Sequence, residues 1–353
     1  MENIPTYKDF HKQIKINLWL AGIPYGDPKI YFRFFVISIQ LLLMIIFEIS
    51  FFVSRISPEN FLELTQLAPC IGIGILSLLK IIAVAQKREK IYVLTESLEK
   101  LYNKILSSEK KVKLVRKDLV VVNLLMKYYF ILNLVLISVY NFSTPFIILY
   151  HYFAKHEVMY ILPYAVLVPF STDSWLPWTV VYIHSIMCGF ICVLFYTTTD
   201  GLYIVLTSHV CANFSVISDF IESLDETTAD RLADIIKDHQ YILKLGEDLE
   251  DIFTAPNLFN VLVGSLEICA LGFNLTSTKI GDAAFLCKWY KMDEKSKKTI
   301  LTIMIRSKKP QQLTAYKFST ISYASFTKII STSWSYFTIL RTVYSPPEVT
   351  RTE

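Results

Sequence analysis

Few side chains in this chain have the type and spacing to do chemistry. His11, His151, His156, His184, His209 and His239 fall into no His-Glu-x-x-His or Cys/His pattern. Cys188 and Cys192 are four residues apart and share a helix face. No third ligand stands near them, and an apolar core accounts for them better than a metal does. Asp219, Asp225 and Asp230 lack the glycine and closing glutamate of a calcium loop and read as a solvated face. No phosphate-binding loop, nucleophile elbow or kinase signature occurs, so no catalytic residue, metal or cofactor is expected. Nothing favours an enzyme.

Ionisable residues inside apolar stretches are another matter, because charge in hydrocarbon is costly and is retained mostly for function. Glu48, Lys80, Lys127, Glu267 and Lys328 are such residues. Lys80 and Lys127 fall near the ends of their stretches and can snorkel to the interface. Glu48 and Lys328 are harder to dismiss, and Lys328 is expected to face protein or vestibule water.

The last apolar stretch, Leu313 to Val343, has 31 residues of which 12 are Ser or Thr, with no Gly or Pro. A continuous helix of that length reaches roughly 46 Å, more than a bilayer core requires. Hydroxyls find no partners among lipid tails, although each can bond back to its own helix. At about 100° per residue, Ser325, Thr332, Tyr336, Ile339 and Val343 share one face, opposite Tyr316, Tyr323, Thr327, Trp334 and Arg341. Hydroxyls ending in two branched apolar residues could line a water path closed by a hydrophobic constriction. Spacing alone favours the plainer arrangement, a helix buried among others.

Membrane spans must position these residues. The chain has 353 residues, 53% apolar, and a mean hydropathy of +0.42, too apolar for a soluble domain of this length. Span-length runs occur at Tyr31–Val53, Leu64–Gln86, Leu119–Tyr140, Trp178–Leu206, Pro256–Thr276 and Leu313–Val343. Residues 1–30 show no apolar core, so no cleaved signal peptide is expected. Ten basic residues crowd Lys87–Asp118, whereas Ser54–Glu63 holds only Arg55 and Asn141–Pro177 only Lys155. The positive-inside rule then places the N-terminus in the cytoplasm. The six cysteines form no disulfide framework.

Beyond the second span, Ile91, Leu94, Leu98, Leu101, Tyr102 and Ile105 predict an amphipathic helix running on into the cytoplasm. Pro145, Pro163, Pro169 and Pro177 are expected to break the Asn141–Pro177 loop into a partly ordered outer cap. Asn141-Phe142-Ser143 is a glycosylation acceptor on the correct side, close to the membrane. Thr207 to Ala255 predicts two packed cytoplasmic helices with a turn at Asp225-Glu226-Thr227-Thr228. Lys279–Lys309 is basic enough to be cytoplasmic too, yet a single span, Pro256–Thr276, separates it from Ala255. The parity requires an even number. Either that segment dips in and out, or a crossing is absent.

The C-terminal third resembles the insect odorant receptor family. The residues that carry this are Ala283-Ala284-Phe285, Trp289-Tyr290, Met304-Ile305-Arg306, Pro310, Leu313-Thr314-Ala315 and Ser333-Trp334-Ser335-Tyr336-Phe337-Thr338-Ile339-Leu340. Glu250-Asp251-Ile252-Phe253 and Cys269-Ala270-Leu271-Gly272-Phe273 are similar to the family's fifth-span region. Gustatory receptors, the related alternative, end in a Tyr followed by a Gln-Phe pair that this tail lacks. The family has a further span where Asn274-Leu275-Thr276-Ser277-Thr278 here runs straight into Lys279-Ile280-Gly281-Asp282. Resemblance and charge parity point to the same gap.

The resemblance implies an odorant-gated cation channel subunit in the plasma membrane of olfactory sensory neurons. It implies a hetero-tetramer with an obligate co-receptor, a volatile odorant as ligand, lipid contact and no nucleic acid. The expected fold is an all-α, polytopic helical membrane protein with six apparent spans where the family has seven, and a cytoplasmic N-terminus. Residues 1–353 would form a single transmembrane domain: a 1–30 cytoplasmic segment, anchor helices in 87–118, 207–255 and 279–309, and a pore helix over 313–343. The family's terminal Tyr-Phe pair, matched to Tyr336-Phe337, puts a gate at Ile339 and Val343 with Thr342 near the pore wall. Tyr336, Thr332 and Ser325 would line the pore below it. Position alone nominates Leu67, Ile71, Ile137, Tyr140, Tyr182, Ile186 and Met187 for the ligand pocket. The rival readings are a truncated, non-conducting isoform and a transporter; for a transporter, neither an internal repeat nor Gly/Pro-broken span pairs are present.

Overall fold

In the computed structural model of the protein, residues 4–27, 29–56, 61–155, 159–225, 231–263, 284–287, 289–307, 314–315 and 319–320 are described. The chain is all-α apart from one minimal ladder. Its helices are α1 (Tyr7–Ala21), α2 (Phe32–Ser54), α3 (Phe61–Gln86), α4 (Arg88–Leu106), α5 (Glu109–Lys155), α6 (Trp175–Glu222), α7 (Leu232–Val263) and α8 (Glu294–Ser307). A 3-10 turn, Trp289–Lys291, precedes α8.

Among the described residues α2, α5 and α6 are long and apolar enough to cross a membrane, and α3 joins them when taken with α4. α5 and α6 have 47 and 48 residues. At 1.5 Å per residue each reaches about 70 Å, roughly twice a hydrocarbon core, so both project well beyond it. They run antiparallel: Asn141 lies beside Ile186, and Lys110 pairs with Asp219. A Cβ at Gly201 would meet the tips of Met126 and Phe130, so these α5 side chains lie directly against the α6 backbone there. The outward face of α5 is apolar and exposed, with Ile131, Leu132, Leu134 and Val139 all more than half accessible. That surface suits lipid or another apolar partner, not water.

The core gathers at the end where α1, α4, the start of α5, the end of α6 and α7 meet. α1 starts with Asp9 accepting from both the Thr6 backbone N–H and its hydroxyl, at 2.7 and 2.8 Å. It stops at Gly22, whose φ of 82° and closeness to Phe34 exclude a side chain. Tyr7, Phe10, His11, Ile14, Leu18 and Ala21 recur at helical spacing and bury one face, chiefly against α6. Segment 1–30 therefore does contain an apolar stripe, hidden by the interleaved Lys residues.

The chain bends by 71° between α3 and α4. Ile91, Leu94, Leu98, Tyr102 and Ile105 of α4 are buried, with Leu101 half-buried beside them, as the periodicity predicts. Lys87 and Lys90 reach Asp251 of α7, at 3.0 and 2.7 Å.

The structure corrects several expectations. Asn141–Lys155 is not broken loop but the continuation of α5, with Pro145 inside the helix. Losing one backbone bond is tolerable where the remaining ladder and neighbouring groups hold the turn. Pro177 lies in the first turn of α6, where its missing N–H has no helical partner to lose. Asn141 is fully buried and bonded, so it makes no accessible glycan acceptor. Thr207 to Glu222 is the same helix as the fourth span, not a separate one. Thr314–Ala315 pairs antiparallel with Ser319–Thr320, so the helix expected from Leu313 does not begin there. Ser and Thr favour extended and turn backbone over helix, which fits. The rest of that stretch, with Ser325, Lys328, Thr332, Tyr336, Ile339, Thr342 and Val343, lies outside the described residues. So do Glu267 and the Thr278–Lys279 junction.

Candidate functional site

Four helices diverge toward the end where α5 turns into α6 and leave a cavity of about 650 Å3 between them. α2 contributes Leu41, Met44, Ile45 and Glu48; α3 contributes Cys70, Ile73 and Gly74. α5 supplies Asn133, Leu136, Ile137 and Tyr140, and α6 supplies Cys188, Gly189, Cys192, Val193 and Tyr196. Tyr164, from the segment linking α5 to α6, completes the lining. A mostly apolar concavity of this size with a few polar groups is the ordinary form of a small-molecule site.

Three contacts and one gap position these walls. The linking segment is fastened by Leu167 N–H to the Phe47 carbonyl at 3.1 Å and by Trp178 Nε1–H to the Ile161 carbonyl at 2.9 Å. Tyr164 then donates its hydroxyl to Asn141 Oδ1 at 3.0 Å. Gly189 leaves the space for this, since a Cβ there would strike the Tyr164 hydroxyl and the Asn141 amide. Burial pushes the Tyr164 phenol well above the ordinary tyrosine range, so it remains a neutral donor.

Beneath Tyr196 lies a buried ion pair. Lys80 Nζ bonds Asp200 at 2.9 and 3.1 Å, with both side chains essentially inaccessible. The ammonium sits 3.9 Å from the centre of the Tyr196 ring, whose side chain also lines the cavity. Tyr129 donates to the same carboxylate at 3.5 Å. Lys80 therefore does not snorkel: Asp200, one helical layer away on α6, supplies a countercharge inside the bundle. Lys127 is exposed on α5.

Of the residues nominated by position, Ile137 and Tyr140 line the cavity. Ile71 is buried in the α3 core but does not reach it. Tyr182 stacks on Trp178 at 4.9 Å and donates to the Asn141 carbonyl at 3.2 Å. Ile186 offers its carbonyl to Asn141, and Met187 is exposed, with its sulfur 3.9 Å from the Gln40 amide. Tyr182, Ile186 and Met187 thus support the walls without lining the space. Nothing is described of the Leu67 side chain. Missed were Tyr164, the α2 and α3 walls and most of the α5 and α6 linings, Asn133 and Tyr196 among them. The α2 wall was legible: Phe34, Leu41, Met44, Ile45 and Glu48 fall at helical spacing on its buried face.

Cys188 and Cys192 both reach the cavity, Cys192 beside the Ser77 hydroxyl at 3.0 Å. No group of three or more candidate metal ligands occurs among the described residues.

Long apolar helices, a bundle anchored at one end and a cavity opened at the other define a multi-pass helical membrane protein. The family model described as 7tm Odorant receptor matches residues 60–279 and 276–334. The chain belongs to the insect odorant receptor family. It is 26% identical over 244 residues to odorant receptor 13a of Drosophila melanogaster, covering 53% of this chain and 58% of that one. It is 30% identical over 187 residues to odorant receptor 67c of the same species, covering 41% and 46%. The chain thus spans about half the length of these curated relatives. Its fold is similar to that of olfactory receptor OR5 from Machilis hrabei solved with eugenol, at a TM-score of 0.75 over 96% of this chain and 98% of that one, with 12% identity.

Proposed function

We propose that the protein is an odorant-gated cation channel subunit that binds a small volatile ligand in the cavity among α2, α3, α5 and α6. The observation that carries this is the cavity itself: about 650 Å3, mostly apolar, in a member of a receptor family. A neighbour in fold was solved with eugenol, a small aromatic molecule of a size such a cavity accommodates. In this reading the N-terminus and α4 are cytoplasmic, since the basic residues of Lys87–Asp118 favour that side. The subunit works in the plasma membrane of olfactory sensory neurons, within a hetero-tetramer that includes a co-receptor. Ile339 and Val343 form the gate, with Thr342 and Tyr336 beside the pore.

A ligand opens such a gate only through differential affinity for the open and closed states. The test is odorant-evoked current in cells expressing this chain with and without a co-receptor. Ile137→Trp together with Val193→Trp should shrink the cavity and abolish the evoked current while leaving surface expression intact. Ile339→Ser should raise current in the absence of odorant, and an unchanged basal current refutes the gate.

One observation favours a second reading, a shortened non-conducting isoform. The family match comes in two stretches that meet at residues 276–279, the place where loop charge and resemblance both locate an absent crossing. Comparing transcript with genomic sequence between Thr278 and Lys279 decides it. An intervening coding segment for an apolar helix supports the isoform, and its absence removes the grounds for it.

A further inference from the structure

The cavity wall contains one carboxyl group, and among the described lining residues there is no Lys, Arg or His. That carboxyl belongs to Glu48, which is 4% exposed on the inward face of α2. Glu48 has no hydrogen-bond or ion-pair partner among the described residues, although a buried carboxyl normally has one. The neighbouring polar groups already have partners. Tyr164 donates to Asn141, Asn133 Nδ2 donates to the Tyr129 carbonyl, the Tyr140 hydroxyl is engaged with the Cys70 thiol, and the Cys192 thiol meets Ser77. Lys80 cannot turn to Glu48 without leaving Asp200. Glu48 is thus an acceptor facing a mostly apolar cavity with no donor bonded to it among the described residues.

An ionised carboxylate there costs several kcal/mol unless a cation meets it, and a neutral one still leaves acceptor capacity unused. A ligand could supply what the fold omits. From this we infer that the cavity takes a small, mostly apolar molecule with a hydrogen-bond-donating head, an amine or an alcohol, and that Glu48 receives that head. Tyr140 and Tyr164, whose rings lie 5.2 Å apart in the same wall, add aromatic surface that suits either an ammonium or a hydroxyl. Leu41, Met44 and Ile137 receive the apolar tail. The inference rests on the reading of the cavity as the ligand site.

The test measures stabilisation of the full chain in detergent by heptylamine, 1-heptanol, 2-heptanone and heptane, read as a shift in thermal unfolding. One or both donor-headed probes should bind at least about tenfold more tightly than the ketone and the hydrocarbon, the worth of one good hydrogen bond to a buried acceptor. Glu48→Leu should erase that preference and leave heptane unchanged or better bound. Glu48→Gln, near in shape and still an acceptor, should keep heptanol within about threefold and weaken heptylamine about tenfold if the head is charged. Heptylamine as the better ligand identifies a cationic head; heptanol identifies a neutral one. An unchanged order of affinities in Glu48→Leu overturns the inference, as does a ketone bound as tightly as the alcohol, or no binding of either donor. The double variant Ile137→Trp, Val193→Trp separates the two levels. If it abolishes binding while Glu48→Leu does not, the role of Glu48 alone is wrong; if binding survives it, the cavity is not the ligand site and the inference falls with it.

Discussion

Lys80 and Asp200 illustrate how much a single side chain can alter the reading of a span. In sequence, a lysine near the end of an apolar run looks like one that reaches for the interface. In the structure it is wholly buried, held by Asp200 and covered by Tyr196. Removing one member leaves the other uncompensated, which in buried pairs costs roughly 3–5 kcal/mol. Lys80→Met should therefore lower the unfolding midpoint strongly, and Asp200→Leu in the same chain should restore most of it. A single variant as stable as the wild type would show that the pair is not buried in the folded protein. Asn141 makes the opposite point, because its acceptor sequence promises a glycan and its surroundings deny one. Its amide is fully buried, bonded to Tyr164 and placed inside a helix, where no transferase can reach it. Asn141→Gln should leave the glycosidase-sensitive mobility of the protein unchanged. Neither outcome was readable from the sequence, since both depend on a partner on another segment, 23 or more residues away, that spacing along one helix does not reveal.

At the scale of elements, spacing alone was a good guide wherever one face meets a core. The buried faces of α4 and α2 follow their apolar periodicity, and α2, α3 and α6 begin close to the starts of their apolar runs. Periodicity failed where helices run past the membrane, because hydropathy marks the lipid-buried portion and not the helix. α5, with 47 residues, and α6, with 48, both extend well past their apolar runs for that reason. It failed again at α1, whose stripe is diluted by Lys8, Lys12 and Lys15. The docking of α1 has a pH signature. His11 is fully buried, stacked on Tyr7 at 4.4 Å, with Nδ1 donating to the Tyr7 carbonyl at 3.1 Å. Burial, helped by nearby Lys15 and only partly opposed by the bond to Tyr7, pulls its pKa from 6.5 down to about 4. His239 of α7, facing Phe214 and near Arg306, is lowered to about 4 as well, mainly by burial. The unfolded chain takes up protons at these histidines near pH 6.5 while the folded chain refuses them until about pH 4. Their stabilising contribution is therefore complete above the unfolded value and is lost as pH falls between the two, by up to about 3 kcal/mol for His11. The thermal midpoint should drop between pH 7 and pH 5, and His11→Phe should make that drop shallower. An identical slope in the variant would place His11 in water.

At the scale of the whole molecule, the two ends of the bundle are built for different tasks. One end joins α1, α4, α6 and α7 around a packed core with Asp251 bridging Lys87 and Lys90; the other opens into the cavity roofed by Tyr164. The roof depends on contacts with the link between α5 and α6, so the cavity and that link must lie on the same side of the membrane. In the proposed topology the packed end is cytoplasmic, a reading supported by the ten basic residues of Lys87–Asp118 against the single Lys155 of Asn141–Pro177. An odorant arriving from outside then meets the cavity first, which is the arrangement the proposed function requires. Glycan acceptors placed at the two ends test it directly. Pro169 is exposed and followed by Phe170 and Ser171, so Pro169→Asn completes an acceptor in the roof segment. Leu106, 39% exposed at the end of α4 and followed by Ser107 and Ser108, gives the matching acceptor at the packed end through Leu106→Asn. Both belong in a background carrying Asn274→Gln, because Asn274-Leu275-Thr276 is itself an acceptor sequence. Pro169→Asn should gain a glycosidase-sensitive shift and Leu106→Asn should gain none. The reverse pattern would invert the molecule, put the cavity on the cytoplasmic side, and leave an airborne ligand no direct route to Glu48.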